Sequence, residues 1–250
     1  MPDRLFLVLT CEHASPFLPS DFRKKFRDRI ERIPEHRLFD RGAAVLARNL
    51  ADRFRAPLIR SRFSRLLVDL NRSEEHRELF SELSATLPEA RKKALISRVH
   101  RRYRDSVESL VDRLIRRGTA VLHVSVHTFT PVLNGECRQT GIGLLFDPSR
   151  SFERRLCLFW RRRLKDECPG LAIHFNRPYH GRSDGFTKCL REGRSDSRYA
   201  GIELEVNQLF FAPGKTVEAR RVRGAIARSL AAAVSDLTGA PASGSVRTRG

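Results

Sequence analysis

The polar residues of this 250-residue chain that could carry chemistry stand at the ends of apolar runs. Leu5-Phe6-Leu7-Val8-Leu9-Thr10 leads into Cys11-Glu12-His13, and Ala120-Val121-Leu122-His123-Val124-Ser125-Val126 delivers His127. Ser64-Arg65-Leu66-Leu67-Val68-Asp69-Leu70 ends in Asn71-Arg72, Gly201-Ile202-Glu203-Leu204-Glu205-Val206 carries Glu205, and Asp40 lies just ahead of a helix pattern. In open α/β sheets ligands gather outside the carboxyl ends of the strands, so these groups are candidates for one shared site. Two imidazoles, a third protein ligand, an open position and a nearby carboxylate to act as general base are what a catalytic zinc centre requires.

Each residue alone has a plainer reading. A single histidine is more often a hydrogen-bonded core or surface residue than a metal ligand, and His36, His76 and His100 carry no further signal. His123 sits inside a strand pattern, and His174 and His180 flank a loop, which suits structural or substrate-side roles before metal. Glu12 and Glu203 could be solvated or paired, and Arg65 and Arg72 could be surface salt bridges of little energetic weight. No H-E-x-x-H or H-x-H is present, so local spacing alone gives weak support for a metal.

The elements that must position these groups alternate. Leu5–Thr10 has the continuous apolarity of a strand covered on both faces. Gly42–Leu50 reads as a helix, with Asp40 near its start, and Ala56–Arg60 and Ser64–Leu70 read as short strands. From Pro88 to Arg117, Leu95, Val99, Tyr103, Val107, Leu110, Val111 and Leu114 recur at helical spacing, and Gly118 supplies a stop. Strands follow at Ala120–Val126, Gly141–Phe146, Ala172–Phe175 and Gly201–Val206, with a helix over Ser151–Lys165. Some six or seven strands interleaved with helices imply an α/β fold with a mixed, mostly parallel central sheet. The length fits one domain over residues 1–239, and the Gly/Pro-punctuated, polar residues 240–250 read as a disordered tail.

Composition narrows the class. Hydrophobic residues make up 40% and charged residues 31%, globular values that argue against disorder for the bulk of the chain. Neither a bilayer-length apolar run nor a signal-peptide pattern is present, so a cytoplasmic, non-membrane protein is expected. Five widely spaced cysteines without a C-x-x-C pair suggest reduced thiols. The 48 Lys+Arg against 29 Asp+Glu give a formal charge of +19, which favours anionic partners and allows non-specific nucleic-acid binding. No helix-turn-helix, zinc-finger, RRM or KH signature accompanies that charge, and solvated helix faces account for most of it.

Taken together, Cys11-Glu12-His13-Ala14, Phe39-Asp40-Arg41-Gly42-Ala43, Ser64-Arg65-Leu66-Leu67-Val68-Asp69-Leu70-Asn71-Arg72, Val126-His127-Thr128-Phe129 and Gly201-Ile202-Glu203-Leu204-Glu205-Val206-Asn207-Gln208 resemble the N-formylglutamate amidohydrolase family in content and order. The segment from Asn176 to Gly185 is similar to a Pro-Tyr, Gly and Ser-Asp-Gly loop found in a branch of it. The resemblance spans about residues 5–210, and the R-L-x-V-D-L-N-R string is its most specific part. It implies a three-layer, phosphorylase/hydrolase-like fold shared with zinc carboxypeptidases and aspartoacylases. The implied metal ligands are His13 in the E-H position, His127 in H-[ST]-F, and Asp40 in D-x-G-A, taken over Glu12. Glu205, in the L-E position, is the implied general base and Arg65 a second catalytic group. Arg65, Asn71 and Arg72, with Arg138 and Tyr179 on loops, would hold substrate carboxylates. Two departures stand out. The family often carries Y-H-x-x-Y-H on the long helix, whereas Val99-His100-Arg101-Arg102-Tyr103-Arg104 keeps one histidine and has Arg104 at the second, and Phe39 stands where many relatives have Trp.

The expected activity is hydrolysis of an N-acyl, foremost N-formyl, amino acid such as N-formylglutamate, with zinc or a similar divalent ion activating water and a small anionic substrate. Cys11 beside Glu12-His13 offers a rival cysteine nucleophile, which would leave His127 and Glu205 without a role. Two further alternatives are the same fold acting on another acyl-amino-acid or peptide amide, and a basic nucleic-acid-binding protein on a catalytically lapsed hydrolase scaffold.

Overall fold

The computed structural model describes residues 5–239, so the tail expected over 240–250 lies outside the described residues. In chain order the strands are β1 (Leu5–Cys11), β2 (Leu58–Arg60), β3 (Ala120–Phe129), β4 (Val132–Leu133), β5 (Glu136–Cys137), β6 (Ile142–Leu145), β7 (Ile173–Phe175) and β8 (Tyr199–Asn207). The α-helices are α1 (Ser20–Lys25), α2 (Arg27–Ile30), α3 (Ala43–Phe54), α4 (Glu89–Leu95), α5 (Arg102–Arg116), α6 (Ser151–Glu167), α7 (Phe186–Arg191) and α8 (Thr216–Thr238). Six strands form the central sheet in the order β2-β1-β3-β8-β6-β7, all neighbours parallel except β6 and β8. β4 and β5 form a separate hairpin through Asn134-Gly135, both at positive φ, the backbone that a two-residue hairpin turn demands.

Helices cover both sheet faces, giving three layers. The side chains of Leu7, Leu9 and Cys11 on β1, Leu122, Val124 and Val126 on β3, and Ile202, Leu204 and Val206 on β8 pack with α3, α6 and α8 in one apolar core. The alternate residues face α5 and α7, and there polarity rises along each strand. β1 runs Phe6, Val8, Thr10; β3 runs Val121, His123, Ser125, His127; β8 runs Tyr199, Gly201, Glu203, Glu205. Because successive side chains on a strand point to opposite faces, one face stays wholly apolar while the other becomes a polar floor toward the carboxyl ends.

Buried side-chain bonds tie the helices to one another and to the sheet. Trp160 on α6 is fully buried and donates its Nε1 hydrogen to Ser229 Oγ on α8 at 3.1 Å. Arg191 on α7 donates to Glu153 at 2.9 Å, to the Gly181 carbonyl at 2.7 Å and to the Gly201 carbonyl at 2.6 Å, while Gly201 N donates to Glu153 at 2.9 Å. This buried pair has its hydrogen-bonding capacity largely filled, the condition under which burying two charges is tolerable.

Most expected elements form, with two differences. Ser64–Leu70 is not a strand. Ser64 Oγ accepts from Leu66 N, Leu67 N donates back to Ser64 O, and Asp69 N donates to Leu79 O, so local turns replace a ladder. Its apolar residues serve two separate clusters instead, Leu66 and Leu67 packing with Phe22, Phe26 and Leu83, and Val68 and Leu70 with the α5 side of the sheet. The long helix over Pro88–Arg117 runs continuously but through a π-helical turn, Ile96–Arg101, between α4 and α5. It ends in a Schellman arrangement, with Thr119 N donating to Leu114 O, Gly118 N donating to Ile115 O, and Gly118 at φ 78°. No helix among the described residues is long and apolar enough to cross a membrane.

Gly143 on β6 stands beside Glu205, and a Cβ there would run into the backbone carbonyl of Arg177 and press on Glu205 Cβ. Gly143→Ala is expected to destabilise the fold by about 3 kcal/mol, at the upper end of overpacking costs because the neighbour is backbone, as read from the midpoint of urea unfolding.

Candidate active site

Four groups meet above the polar floor. His13 is the second residue past β1; His127 lies near the end of β3; Glu205 is its register partner on β8. Asp40 comes from the loop before α3, tied down by its own N–H donating to His13 O at 2.9 Å and by Ala43 N donating to Asp40 O at 3.1 Å. Between them Gly42 adopts φ 87° with the Phe211 ring packed where a Cβ would go, so the D-x-G spacing reflects a backbone only glycine takes there.

Asp40 Oδ2 lies 2.9 Å from His127 Nδ1 and 3.4 Å from His13 Nδ1. The far nitrogens are anchored. His13 Nε2 donates to Asp69 Oδ1 at 2.7 Å, and His127 Nε2 donates to Ser125 Oγ at 3.0 Å with Glu12 Oε2 at 3.2 Å. Glu12 is held in turn by Ser125 Oγ at 2.5 Å and by the Tyr103 hydroxyl at 3.0 Å. Carboxylates only accept, so each Nε2 carries a hydrogen, and each Nδ1 is the nitrogen that faces Asp40, across a shared proton at His127 and open there to a cation in its place. One nitrogen of each ring and a carboxylate oxygen, all within 4.8 Å of one another and all buried, form a donor set suited to a divalent ion. The Asp40 separations of 2.9 and 3.4 Å bracket the ~3.3 Å between neighbouring ligand atoms of a tetrahedral site with ligands at about 2.0 Å. Anchoring the second ring nitrogen on a carboxylate is how metal-binding histidines are oriented.

These groups open onto a cleft of about 370 Å³ that Arg65, Asn71, Arg72 and Tyr179 also line. Arg65 is half committed, donating to Asp69 Oδ2 at 2.6 Å, while its Nη1 lies 3.9 Å from Asp40. Arg138 does not line the cleft itself and acts on it through Tyr179, donating to the hydroxyl at 3.2 Å with its guanidinium 5.2 Å from that ring and 5.6 Å from the Phe129 ring. Glu12 sits behind His127 rather than beside Asp40, and Cys11 packs in the opposite, apolar layer. Burial, with Glu12 and Asp40 nearby, pushes the Cys11 thiol up, which removes the cysteine nucleophile. His123 is enclosed between Thr10 and Tyr199 and His174 binds Thr140, both away from the cleft. Sequence reasoning passed over Asp69, Ser125 and Tyr103 as site groups, and also His36, His76 and Gln208, which line the cleft together with His180. The Arg65–Asp69 spacing of four and the alternation His123-Ser125-His127 were the available signals.

With this geometry stands a sequence match to the N-formylglutamate amidohydrolase family over residues 5–212. The chain belongs to this family. Membership supports amide hydrolysis as the reaction class. Among solved structures, a gene product of Agrobacterium tumefaciens is similar at 26% identity and TM-score 0.77, covering 92% of this chain and 91% of that one. The N-formylglutamate amidohydrolase of Ralstonia eutropha JMP134 shares the fold at 17% identity and TM-score 0.66, covering 91% of this chain and 93% of its own. No curated protein sequence matches this family member.

The carboxylates of this amidohydrolase-family site divide in two. For Asp69, Asp40 and Glu12 burial alone would favour the protonated form. Arg65 and His13 overcome it at Asp69, the two histidines at Asp40, and His127 with Ser125 at Glu12, so all three are held well below the usual carboxylate range. His127 shows the reverse balance, burial lowering it but Asp40 and Glu12 raising it far more, so in the absence of a cation a proton holds it against Asp40. Glu205 stands apart. Burial, aided by Asp40 and Glu203 against the pull of His127 and Arg138, pushes it up to about 8, and its Oε2 has no partner among the described residues. Because the folded value exceeds the ordinary 4.5, folding favours the protonated form, and that advantage is full below about pH 4.5 and lost as pH rises through about 8. In metal-free protein Glu205→Gln is expected to change stability little at pH 5 and to become the more stable chain at pH 9, wild type losing at most roughly 1.4 kcal/mol per pH unit across that window. Urea unfolding in chelator at the two pH values checks it; an equal difference at both would refute it.

Proposed function

We propose that the chain hydrolyses the amide of an acidic N-acyl amino acid, foremost N-formylglutamate, at a divalent metal held by His13, Asp40 and His127. The observation that carries this reading is the bare Glu205 carboxyl facing a closed set of two imidazoles and a carboxylate across one strand pair. A dication bound there would supply Lewis acidity to water and to the amide carbonyl. The chain's own groups do the rest. Glu205 in its carboxylate form takes a proton from the attacking water, the oxygen bonds to the acyl carbon, the carbon–nitrogen bond breaks, and Glu205 returns the proton to the departing amine. Arg65 Nη1, beside Asp40 and fixed by Asp69, is placed to stabilise the developing oxyanion. Arg72, Asn71 and Tyr179, the last steadied by Arg138, line the cleft and are the groups for the substrate carboxylates.

The positive balance of the chain supports an anionic substrate. Elemental analysis with N-formylglutamate turnover tests the whole reading. Wild type is expected to bind near-stoichiometric zinc and release formate, His13→Ala and His127→Ala to lose both metal and turnover, and Asp69→Asn to weaken zinc affinity about 10–100-fold. Glu205→Gln should keep the metal and lose turnover about 10²–10⁴-fold. A folded wild type that takes up no metal after incubation with zinc ends this reading.

A further inference from the structure

The segment where the sequence departs from the family motif on the long helix has a place beside the cleft that the proposed chemistry leaves unused. His100, at the end of the π-helical turn, and Tyr103 and Arg104, in the first turn of α5, are all buried on the inward side, and π turns recur at functional sites. Tyr103 reaches Glu12, whereas the other two converge on one atom. His100 Nε2 donates to the Arg72 carbonyl at 2.8 Å, and Arg104 Nη1 donates to the same oxygen at 2.9 Å and reaches the Leu70 carbonyl at 3.3 Å. Both lone pairs of the Arg72 carbonyl are thereby used. The Arg104 guanidinium also lies 4.5 Å from the Phe186 ring, whose backbone N–H donates to Asn71 Oδ1 at 2.8 Å. On the far side Arg72 Nη1 donates to Asp184 O at 2.7 Å and Ser73 N donates to Asp184 Oδ2 at 3.0 Å. Residues 70–73, which lack a sheet ladder, are clasped between the helix and the 184–186 segment.

We infer that Arg104 and His100 are positioning residues that set substrate affinity and charge selectivity by holding Asn71 and Arg72 at the cleft wall, an inference that rests on the substrate-carboxylate reading of Arg72. A guanidinium spans two carbonyls and stacks on a ring at once, which neither an imidazole nor an ammonium can do.

Steady-state kinetics of the zinc-loaded full chain on N-formylglutamate and neutral N-formylglutamine tests it. Arg104→Met is expected to raise KM for N-formylglutamate about tenfold with kcat within about threefold, bound zinc unchanged and KM for N-formylglutamine little moved, since a charged buried hydrogen bond is lost. Arg104→Lys should recover only part of the affinity. His100→Leu should shift KM the same way, and His100→Gln, which keeps an N–H donor, should restore it. If Arg72→Ala raises KM for N-formylglutamate while Arg104→Met and His100→Leu do not, the inference is overturned and the cleft reading stands; if Arg72→Ala leaves KM unchanged, the cleft reading falls and this inference with it. Backbone hydrogen exchange over residues 70–73 decides independently of turnover: faster exchange in Arg104→Met and His100→Leu is expected, and unchanged protection in both overturns the clasp.

Discussion

The Asp40 carboxylate, faced by two imidazole nitrogens whose opposite nitrogens are already committed to other carboxylates, is the interaction on which the site depends. Fixing Nε2 of each ring leaves Nδ1 one direction to point, and both directions meet at Asp40 Oδ2. Such an arrangement is unstable without a positive charge between its members. A proton meets that need in part, as the elevated affinity of His127 for it shows, and a dication would meet it fully. The proton affinity of His127 and the metal affinity proposed for this set would thus be two expressions of one electrostatic demand.

Four carboxylates are buried within this small volume, and burying charge is costly unless each is paired. Three are paired: Asp69 by Arg65 and His13, Asp40 by both histidines, Glu12 by Ser125, Tyr103 and His127. Glu205 is the exception, and the exception is informative. The other site carboxylates are fully satisfied, and Glu205 alone of the four has no hydrogen-bond partner at Oε2 among the described residues, which is the feature that the proposed proton transfer uses. The anchored groups define geometry; the unanchored one is free to change its protonation state.

Much of this was legible in the sequence, for a physical reason. The strands β1, β3 and β8 are buried nearly throughout, with apolar residues on both faces at their starts and polar residues on one face toward their ends, so apolar runs giving way to His13, His127 and Glu205 encode the direction of the sheet and the place of the site together. Asp40 was found through its motif, which encodes the positive φ of Gly42. Ser64–Leu70 misled because apolar residues that plug two separate clusters have the same composition as a strand, and composition does not reveal where backbone hydrogen bonds go. Asp69 was hidden inside that misread segment, and Ser125 and Tyr103 were hidden because their partner, Glu12, is a buried acid whose need for donors no local pattern announces. The alternation of His123, Ser125 and His127 on one face of β3 was readable at period two, yet the apolar residues between them masked it.

The two halves of the site are built on different mechanical footings. His127 and Glu205 sit on the two most extensively paired strands, where backbone ladders fix each Cα and side-chain aim follows from the pleat. Asn71 and Arg72 sit on irregular backbone, where nothing in the ladder fixes them and side chains from the long helix and from residues 184–186 must do so. On the proposed reading of Asn71 and Arg72, change in the second half would reach substrate recognition without disturbing the first. Arg104, where the sequence departs from the motif that it otherwise resembles, falls on the supports of the irregular wall. A fold arranged this way can change its irregular wall while the geometry of His13, Asp40 and His127 stays constant.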